Sequence, residues 1–280
     1  DFHGTMEDYF DAKCILFREL GFANSEAVGV VNGDDPWGRR LLAMTGLEVA
    51  MLSYGLGGAC DVRAENVRMG ADESRFDLRT PWGDIDGMRI GLMGGFNISN
   101  ALAAIGVGGS LAVKLELMAA VLEKFQAAPG RLEEIPTSRG FRIFVDYAHT
   151  ADALENVLGA LQEAGFGRIF LVFGCGGNRD KEKRAAMGRV AAELAAYSII
   201  TSDNPRKEDP MAIISQIEEG FAGHSNYEVE ADRGEAIRRA LDAAGEGDVV
   251  LIAGKGHESF QEFADKVAPF DDRQVVRGML

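Results

Sequence analysis

Residues 168–206 read RIFLVFGCGGNRDKEKRAAMGRVAAELAAYSIITSDNPR: an apolar run, a glycine-rich turn, a charged stretch of helical length, a second apolar run and a polar loop. Short apolar runs bounded by turn residues and separated by helical stretches mark parallel strands joined by crossover helices. The alternation continues on both sides. It predicts strands over 141–147, 168–173, 198–202, 227–230 and 248–253, with helices over 151–164, 181–196, 210–221 and 233–244 between them. Every connection is short, as in right-handed crossovers of an open parallel sheet. On helix 181–196, Met187, Val190 and Leu194 form the stripe expected to face the sheet, with Glu182, Lys183, Arg189 and Glu193 elsewhere. Asp209 followed by Pro210 reads as a capped helix start.

Polar clusters follow four of these strands: Asp146-Tyr147-Ala148-His149, Gly174-Cys175-Gly176-Gly177-Asn178-Arg179-Asp180, Asp203-Asn204-Pro205-Arg206 and Gly254-Lys255-Gly256-His257-Glu258. The carboxyl ends of parallel strands converge on one rim, where such sheets bind ligands. This half reads as Rossmann-like, but not as a dinucleotide-binding domain. Gly174 and Gly176 fill the first two positions of G-x-G-x-x-G, the third falls on Arg179, and the acid after the next strand, Asp203, belongs to an Asn-Pro-Arg cluster. No G-x-x-x-x-G-K-[ST] stretch occurs in the sequence, so it offers no Walker loop.

The first half is less regular. Phe10, Cys14, Phe17 and Leu20 fall at helical spacing, with Gly21 the expected C-cap. Lys13 lies beside that stripe, either snorkelling its ammonium to water or serving as a functional group held half-buried. A strand over 28–31 runs into the turn Asn32-Gly33-Asp34-Asp35-Pro36 and a helix over 36–44, and residues 51–92 suit short strands, some antiparallel. Gly94-Gly95-Phe96-Asn97-Ile98-Ser99-Asn100 leads into an alanine-rich helix over 101–113, with another over 115–127. Asn97 and Asn100 are helix caps or ligand contacts. Pro129-Gly130 marks a break, after which Arg131 is a surface charge or a group serving a site.

At 280 residues and 46% hydrophobic content the chain has room for roughly two domains. A net charge of −15 disfavours nucleic acid and anionic membrane surfaces, which reward clustered Lys and Arg. No run approaches the ~18 apolar residues of a membrane span and no signal peptide is visible, so no membrane insertion and a cytoplasmic setting are expected. Cys14, Cys60 and Cys175 lie far apart without metal-ligand spacing, which suits free thiols.

In order and spacing the four clusters resemble the Mur ligase family, and Asp1 to Phe17 and Gly95 to Ala104 resemble its central domain. The resemblance implies an α/β chain: the latter part of a central P-loop-type, ATP-binding domain over 1–129, and a Rossmann-like, mostly parallel C-terminal domain over 130–280 that takes an amino acid. The Walker loop and the UDP-sugar domain are then expected upstream, and the 280 residues are expected to be inactive by themselves.

Within the family the set is similar to the branch that adds meso-diaminopimelate to UDP-N-acetylmuramoyl-L-alanyl-D-glutamate in peptidoglycan synthesis. The implied chemistry is ATP-dependent, with an acyl phosphate between substrate carboxylate and incoming amine, magnesium offsetting phosphate charge, small-molecule substrates as partners and a monomeric protein. Lys13 matches a lysine carbamylated in the family to give magnesium an anionic oxygen ligand. His3 is read as a loop histidine near that site. Asn97, Asn100, Arg131, Asp146 and His149 match residues that contact or frame ATP, although Asp146 and His149 also suit a strand-end cap and its neighbour.

Arg179, Asp203, Asn204, Pro205, Arg206, Gly254 and Glu258 match the diaminopimelate-binding region. Arg206 and Asn204 suit the distal carboxylate, Glu258 and the Gly254 carbonyl the distal ammonium, and Arg179 a carboxylate near the reacting end. The bland reading of Arg206 and Lys207 is a solvated loop before a helix. Asn178, Glu182 and Ala151 depart from the family pattern, Asn178 replacing an acid beside Arg179. A lysine-adding Mur-type ligase, a folylpolyglutamate or cyanophycin-type synthetase and a non-catalytic amino-acid-binding fragment are the alternatives.

Overall fold

The computed structural model describes residues 3–280; Asp1 and Phe2, which begin the stretch read against the family's central domain, lie outside the described residues. The fold is mixed α/β, and the chain divides into two compact units between Gln126 and Ala127.

The first unit is built on a five-stranded sheet of β1 (Val28–Asn32), β2 (Ala50–Gly55), β3 (Val62–Met69), β4 (Ser74–Thr80) and β5 (Gly83–Ile90), in that spatial order. The first three strands are parallel and the last two antiparallel, so the alternating stretch after residue 50 does contain hairpins. Helix α1 (Met6–Ala23) and helix α2 (Pro36–Leu42) bury Phe10, Cys14 and Leu41 with Val31 of β1. Helix α3 (Gly95–Ser110) places Ile98, Leu102 and Ile105 in a second core with Phe76, Leu78 and Ile90, which Met118 of α4 (Leu115–Lys124) joins.

Two expectations need correction here. Helix α1 runs on to Ala23 and is capped by Asn24, so Gly21 is not a C-cap; a Cβ there would sit 1.8 Å from the Glu48 carbonyl oxygen, so the glycine is required by packing. Helix α3 begins six residues before Ala101, with Gly94 at the cap position, so neither Asn97 nor Asn100 caps it.

The second unit follows the predicted alternation closely. Its sheet has the order β10-β9-β8-β11-β7-β6: β6 (Glu133–Glu134), β7 (Arg142–Asp146), β8 (Ile169–Phe173), β9 (Tyr197–Ile200), β10 (Tyr227–Val229) and β11 (Val249–Ala253). All pairs are parallel except β6 with β7. The connecting helices are α5 (Ala151–Glu163), α6 (Glu182–Leu194), α7 (Pro210–Glu218) and α8 (Arg233–Ala243), followed by a small hairpin of β12 (Phe260–Glu262) and β13 (Val267–Pro269) and by α9 (Asp272–Met279).

Every residue of β8 and β11 is buried, which explains why those strands read as continuous apolar runs. Ile143, Val145, Phe170, Val172, Val250 and Ile252, two apart along their strands, form one core with Ile237 and Leu241 of α8. Their neighbours Phe144, Leu171, Phe173 and Leu251 are also buried, as are Leu154, Leu158 and Leu161 of α5. Each such side chain contributes about 1.5–3 kcal/mol. The buried face of α6 differs from the expected stripe: Met187 lies on it with Arg184, Gly188 and Ala191, while Val190 and Leu194 are half-exposed.

Strand order also fixes the site. β7, β8 and β9 progress in one direction across the sheet, and β11 returns to insert between β8 and β7. The loops after these four strands are therefore neighbours on the carboxyl rim.

Candidate functional site

Asp146 ends β7 and is 5% exposed. Its two carboxylate oxygens accept from separate backbone groups, the Leu132 N–H at 2.6 Å and the Ala148 N–H at 2.7 Å. Burial raises its pKa, against the lowering effect of those two amides and of the Arg131 charge. Asp146 thus ties the 130–132 segment to the strand end. The cap reading describes its contacts within the unit.

That tie sets up a cluster only partly visible in the sequence. The Arg131 guanidinium lies 4.6 Å from the centre of the Tyr147 ring. The His149 ring meets the same tyrosine edge-on at 4.7 Å, and the His257 ring lies 5.5 Å from it. Arg131, His149 and His257 are exposed. An exposed cation over an aromatic face, flanked by two imidazoles, offers stacking surface and hydrogen-bond donors to a planar or anionic ligand. His149 Nδ1 is 2.9 Å from the Tyr147 carbonyl, and the Lys183 ammonium donates to the His149 carbonyl at 2.9 Å. Tyr147 and His257 carried no assigned role in the sequence.

The glycine-rich turn after β8 packs against the loop after β9. A Cβ on Gly174 would lie 2.1 Å from the Thr201 carbonyl oxygen, and one on Gly177 would lie 1.9 Å from that of Pro205. The Gly177 N–H donates to the Asn204 carbonyl at 2.8 Å. These glycines serve close backbone approach between loops.

Beneath the two loops lies Arg184, fully buried on α6. Nη1 and Nη2 each donate to one Glu208 oxygen at 3.0 Å, Nη1 donates to Gln216 Oε1 at 2.7 Å, and Nη2 reaches the Gly176 carbonyl at 3.3 Å. The Arg184 bonds and the Asn178 N–H hold the Glu208 carboxyl down at about 2. Asn178 has φ 52° and its side-chain oxygen accepts from the Lys207 N–H at 3.0 Å. The departure at this position therefore acts on the 205–208 loop. Arg179 is exposed, with no hydrogen bond or ion pair among the described residues.

Asp203, Asn204 and Pro205 are buried on the loop after β9. Asn204 donates through Nδ2 to Glu258 Oε2 at 2.8 Å, and its Oδ1 accepts from Lys255 Nζ at 3.1 Å and from the Glu262 N–H at 3.0 Å. Lys255 is fully buried and also bonds Glu258 Oε2 at 3.1 Å, with Asp203 Oδ1 3.6 Å away. Burial raises the Asp203 pKa, while Arg233 and Lys255 pull it down. Gly254, at φ 110°, donates its N–H to the Asp146 carbonyl at 3.1 Å, and a Cβ on it would lie 3.0 Å from Asp203 Oδ2.

Arg206 also has positive φ, 52°. Its N–H donates to the Glu262 carbonyl at 2.9 Å, Nε donates to Glu262 Oε2 at 2.8 Å, and Nη1 donates to the Gly177 carbonyl at 2.9 Å. Nη2 carries no hydrogen bond among the described residues. The guanidinium is therefore pre-oriented by two bonds of its own, and the solvated-loop reading does not describe it. Glu262 carries no sequence signal for this role, because its strand β12 meets Arg206 only through tertiary folding.

In the first unit, Lys13 is exposed, its ammonium 5.1 Å from the centre of the Tyr9 ring. With Phe10, Asp35 and Trp37 it lines a cavity of about 300 Å³. His3 stacks obliquely on the same tyrosine, with ring centres 5.5 Å apart. Asn97 donates to the Met93 carbonyl at 2.9 Å and is half-exposed; Asn100 is exposed. Among the described residues no group of three or more His, Cys, Asp or Glu has the geometry of a metal site, and all three cysteines are free thiols.

Comparison with known proteins accounts for this arrangement. Residues 1–108 match the Mur ligase middle domain, and residues 130–256 match the Mur ligase glutamate ligase domain. The chain is 43% identical over 281 residues to a UDP-N-acetylmuramoyl-L-alanyl-D-glutamate–2,6-diaminopimelate ligase of Geobacillus kaustophilus, covering 99% of this chain and 57% of that protein. A ligase of the same name from Listeria monocytogenes serotype 4b is 41% identical, with 99% and 56% covered. A solved structure of a ligase of that name aligns with a TM-score of 0.61 at 34% identity, covering 99% of this chain and 57% of that one. The MurF ligase of Thermotoga maritima in complex with ADP shares the fold, with a TM-score of 0.70 at 19% identity over all of this chain and 58% of that one. The chain spans a little over half the length of the curated relatives it matches. With its two halves matched by successive domains of one family, and with such identity along its length, this chain belongs to the Mur ligase family.

Proposed function

We propose that this chain is part of an ATP-dependent ligase that joins meso-diaminopimelate to UDP-N-acetylmuramoyl-L-alanyl-D-glutamate in peptidoglycan synthesis. The observation that carries the reading is the pairing, on interlocked loops of one rim, of an oriented guanidinium with an open Nη2 at Arg206 and an anchored carboxylate with an open Oε1 at Glu258. A ligand with a carboxylate and an ammonium at its far end satisfies both. Lysine satisfies only Glu258. Asn204 and the Gly254 carbonyl complete this end, and exposed Arg179 serves a carboxylate nearer the reacting amine.

In this reading the first unit, with the segment to residue 129, supplies the ATP side through Asn97, Asn100 and Lys13, and residues 130–280 supply the amino-acid side with Arg131, Asp146 and His149 framing the nucleotide. The acceptor's carboxylate takes the γ-phosphoryl group of ATP to give an acyl phosphate and ADP. The amine of diaminopimelate then attacks the acyl carbon, expelling phosphate and losing a proton. The chain's own contribution is positioning and electrostatic stabilisation.

Lys13 fits the role of a carbamylated magnesium ligand in one respect. Its exposed ammonium, beside Asp35 in a cavity, is open to carbon dioxide, and the adduct would supply the anionic oxygen that a hard cation prefers. Magnesium, when bound, offsets phosphate charge. The substrates place the reaction in the cytoplasm, and a monomer suffices for it. No helix among the described residues is long and apolar enough to cross a membrane.

The test is phosphate release by the full-length ligase with ATP, the UDP-linked dipeptide and either meso-diaminopimelate or L-lysine. Preference for the diacid by roughly 100-fold or more is expected, because lysine leaves the oriented, half-buried Arg206 guanidinium without a carboxylate partner. Arg206→Ala should raise KM for diaminopimelate steeply while sparing KM for ATP. Equal use of lysine by the unaltered ligase would overturn the reading.

A further inference from the structure

Lys255 is unusual in this molecule. It is a lysine with no exposed surface, and its ammonium donates to Asn204 Oδ1 and Glu258 Oε2, each at 3.1 Å, with Asp203 Oδ1 3.6 Å away as a second negative charge. Burying an ammonium is costly unless it is fully paired, so the site must need this charge.

The surrounding charges indicate why. Arg233 and Asp272, both fully buried or nearly so, form a two-bond ion pair at 2.8 Å and neutralise each other. Arg233 also donates to the Ala253 carbonyl at 3.0 Å, which ties this pair to the end of β11. In the cluster around Lys255 this leaves Asp203 and Glu258 against one ammonium, formally an excess of one negative charge. Asp203 is 6% exposed, whereas the Glu258 side chain is 23% exposed. Glu258 Oε2 is taken twice, by Lys255 and by Asn204, and Oε1 accepts no hydrogen bond among the described residues. Glu258 is thus the more exposed of the two carboxylates, and Oε1 is the open acceptor that it offers.

We infer that Lys255 is a positioning residue for amino-acid specificity, a buried counter-ion that fixes Glu258 in one orientation so that Oε1 receives the ligand's distal ammonium. The inference rests on the proposed diaminopimelate site and adds to it the group that aims its carboxylate. Lys255 touches no substrate. It acts through Glu258 and shares Asn204 with it, so its removal should weaken recognition of the amino acid and leave phosphoryl transfer intact. Without Lys255, Glu258 loses one of two anchors and faces Asp203 with no cation between them.

The experiment uses the full-length ligase and measures KM for meso-diaminopimelate, KM for ATP and kcat in Lys255→Met, Glu258→Gln and the double variant. Lys255→Met is expected to raise KM for diaminopimelate about tenfold or more, with kcat and KM for ATP within about twofold. In the Glu258→Gln background the same substitution should add less than about twofold, since a group that acts through Glu258 has nothing left to aim. To guard against misfolding, Lys255→Met with Asp203→Asn keeps the cluster at one excess negative charge, and the same KM rise is expected. An unchanged KM in that variant, equal losses in kcat and in ATP affinity, or full additivity with Glu258→Gln would each overturn the inference. If instead the unaltered ligase does not use diaminopimelate, the failure lies with the proposed function.

Discussion

Arg184 and Glu208 meet as a two-bond ion pair, guanidinium against carboxylate at 3.0 Å on both sides, with the arginine fully buried beneath the loops after β8 and β9. The pair fixes the Gly176 carbonyl and, through the Asn178 N–H, the turn that carries Arg179. Removing one partner of a buried pair leaves an uncompensated charge and costs about 3–5 kcal/mol. Glu208→Ala should therefore lower the denaturation midpoint markedly, whereas Arg184→Met with Glu208→Leu should recover much of the loss. Equal melting temperatures for Glu208→Ala and the parent chain would show that the pair does not hold the rim together.

The same pair predicts an acid dependence. The Glu208 pKa falls from 4.5 to about 2 in the folded protein, so its contribution is fully present above pH 4.5 and is lost as pH falls through about 2. The stability difference between the parent chain and Glu208→Gln should narrow across that window. Urea unfolding at stepped pH measures it, and a gap that stays constant down to pH 2 would contradict the assignment.

Glycine substitutions should separate loop packing from helix propensity. Gly177→Ala places a methyl group 1.9 Å from the Pro205 carbonyl oxygen, so the loops must part. Gly159→Ala, inside α5 with nothing within 4 Å of the new Cβ, should stabilise by about 0.5–1 kcal/mol. Opposite shifts in melting temperature are expected. Stabilisation of both would mean the glycine loop is not pressed against the 201–206 loop.

Cys175 lies in the same loop yet is 3% exposed, and burial pushes its thiol up to about 12. The thiolate is the reactive form, so iodoacetamide at pH 8 should label Cys175 only after denaturation. Peptide mass spectrometry of native and unfolded samples measures this. Rapid native labelling would show that the loop opens far more readily than its hydrogen bonds indicate.

The strands and helices after residue 141 were legible because each buried strand is a short apolar run and the helices other than α6 start at a side-chain cap, as with Thr150, Asp209 and Asp232. The first half was harder. Gly21 looked like a helix end because its reason for being glycine, the Glu48 backbone, lies 27 positions away in sequence. Arg184 falls in helical register with Met187, Gly188 and Ala191 and was available to a periodicity argument, but an arginine on an apolar face reads as misplaced until its partner Glu208 is known.

For this protein, sequence alone determined the alternating α/β order, the four polar clusters at strand ends and the residue types that suit a doubly charged amino acid, because these follow from local periodicity and motif spacing. Only the tertiary structure decided which groups those residues already hold: Glu262 on Arg206, Lys255 on Glu258 and Tyr147 beneath Arg131. The physical reason is that a strand end fixes where a loop begins, while the free donors and acceptors left for a ligand depend on partners brought in from other loops by the spatial order of the strands.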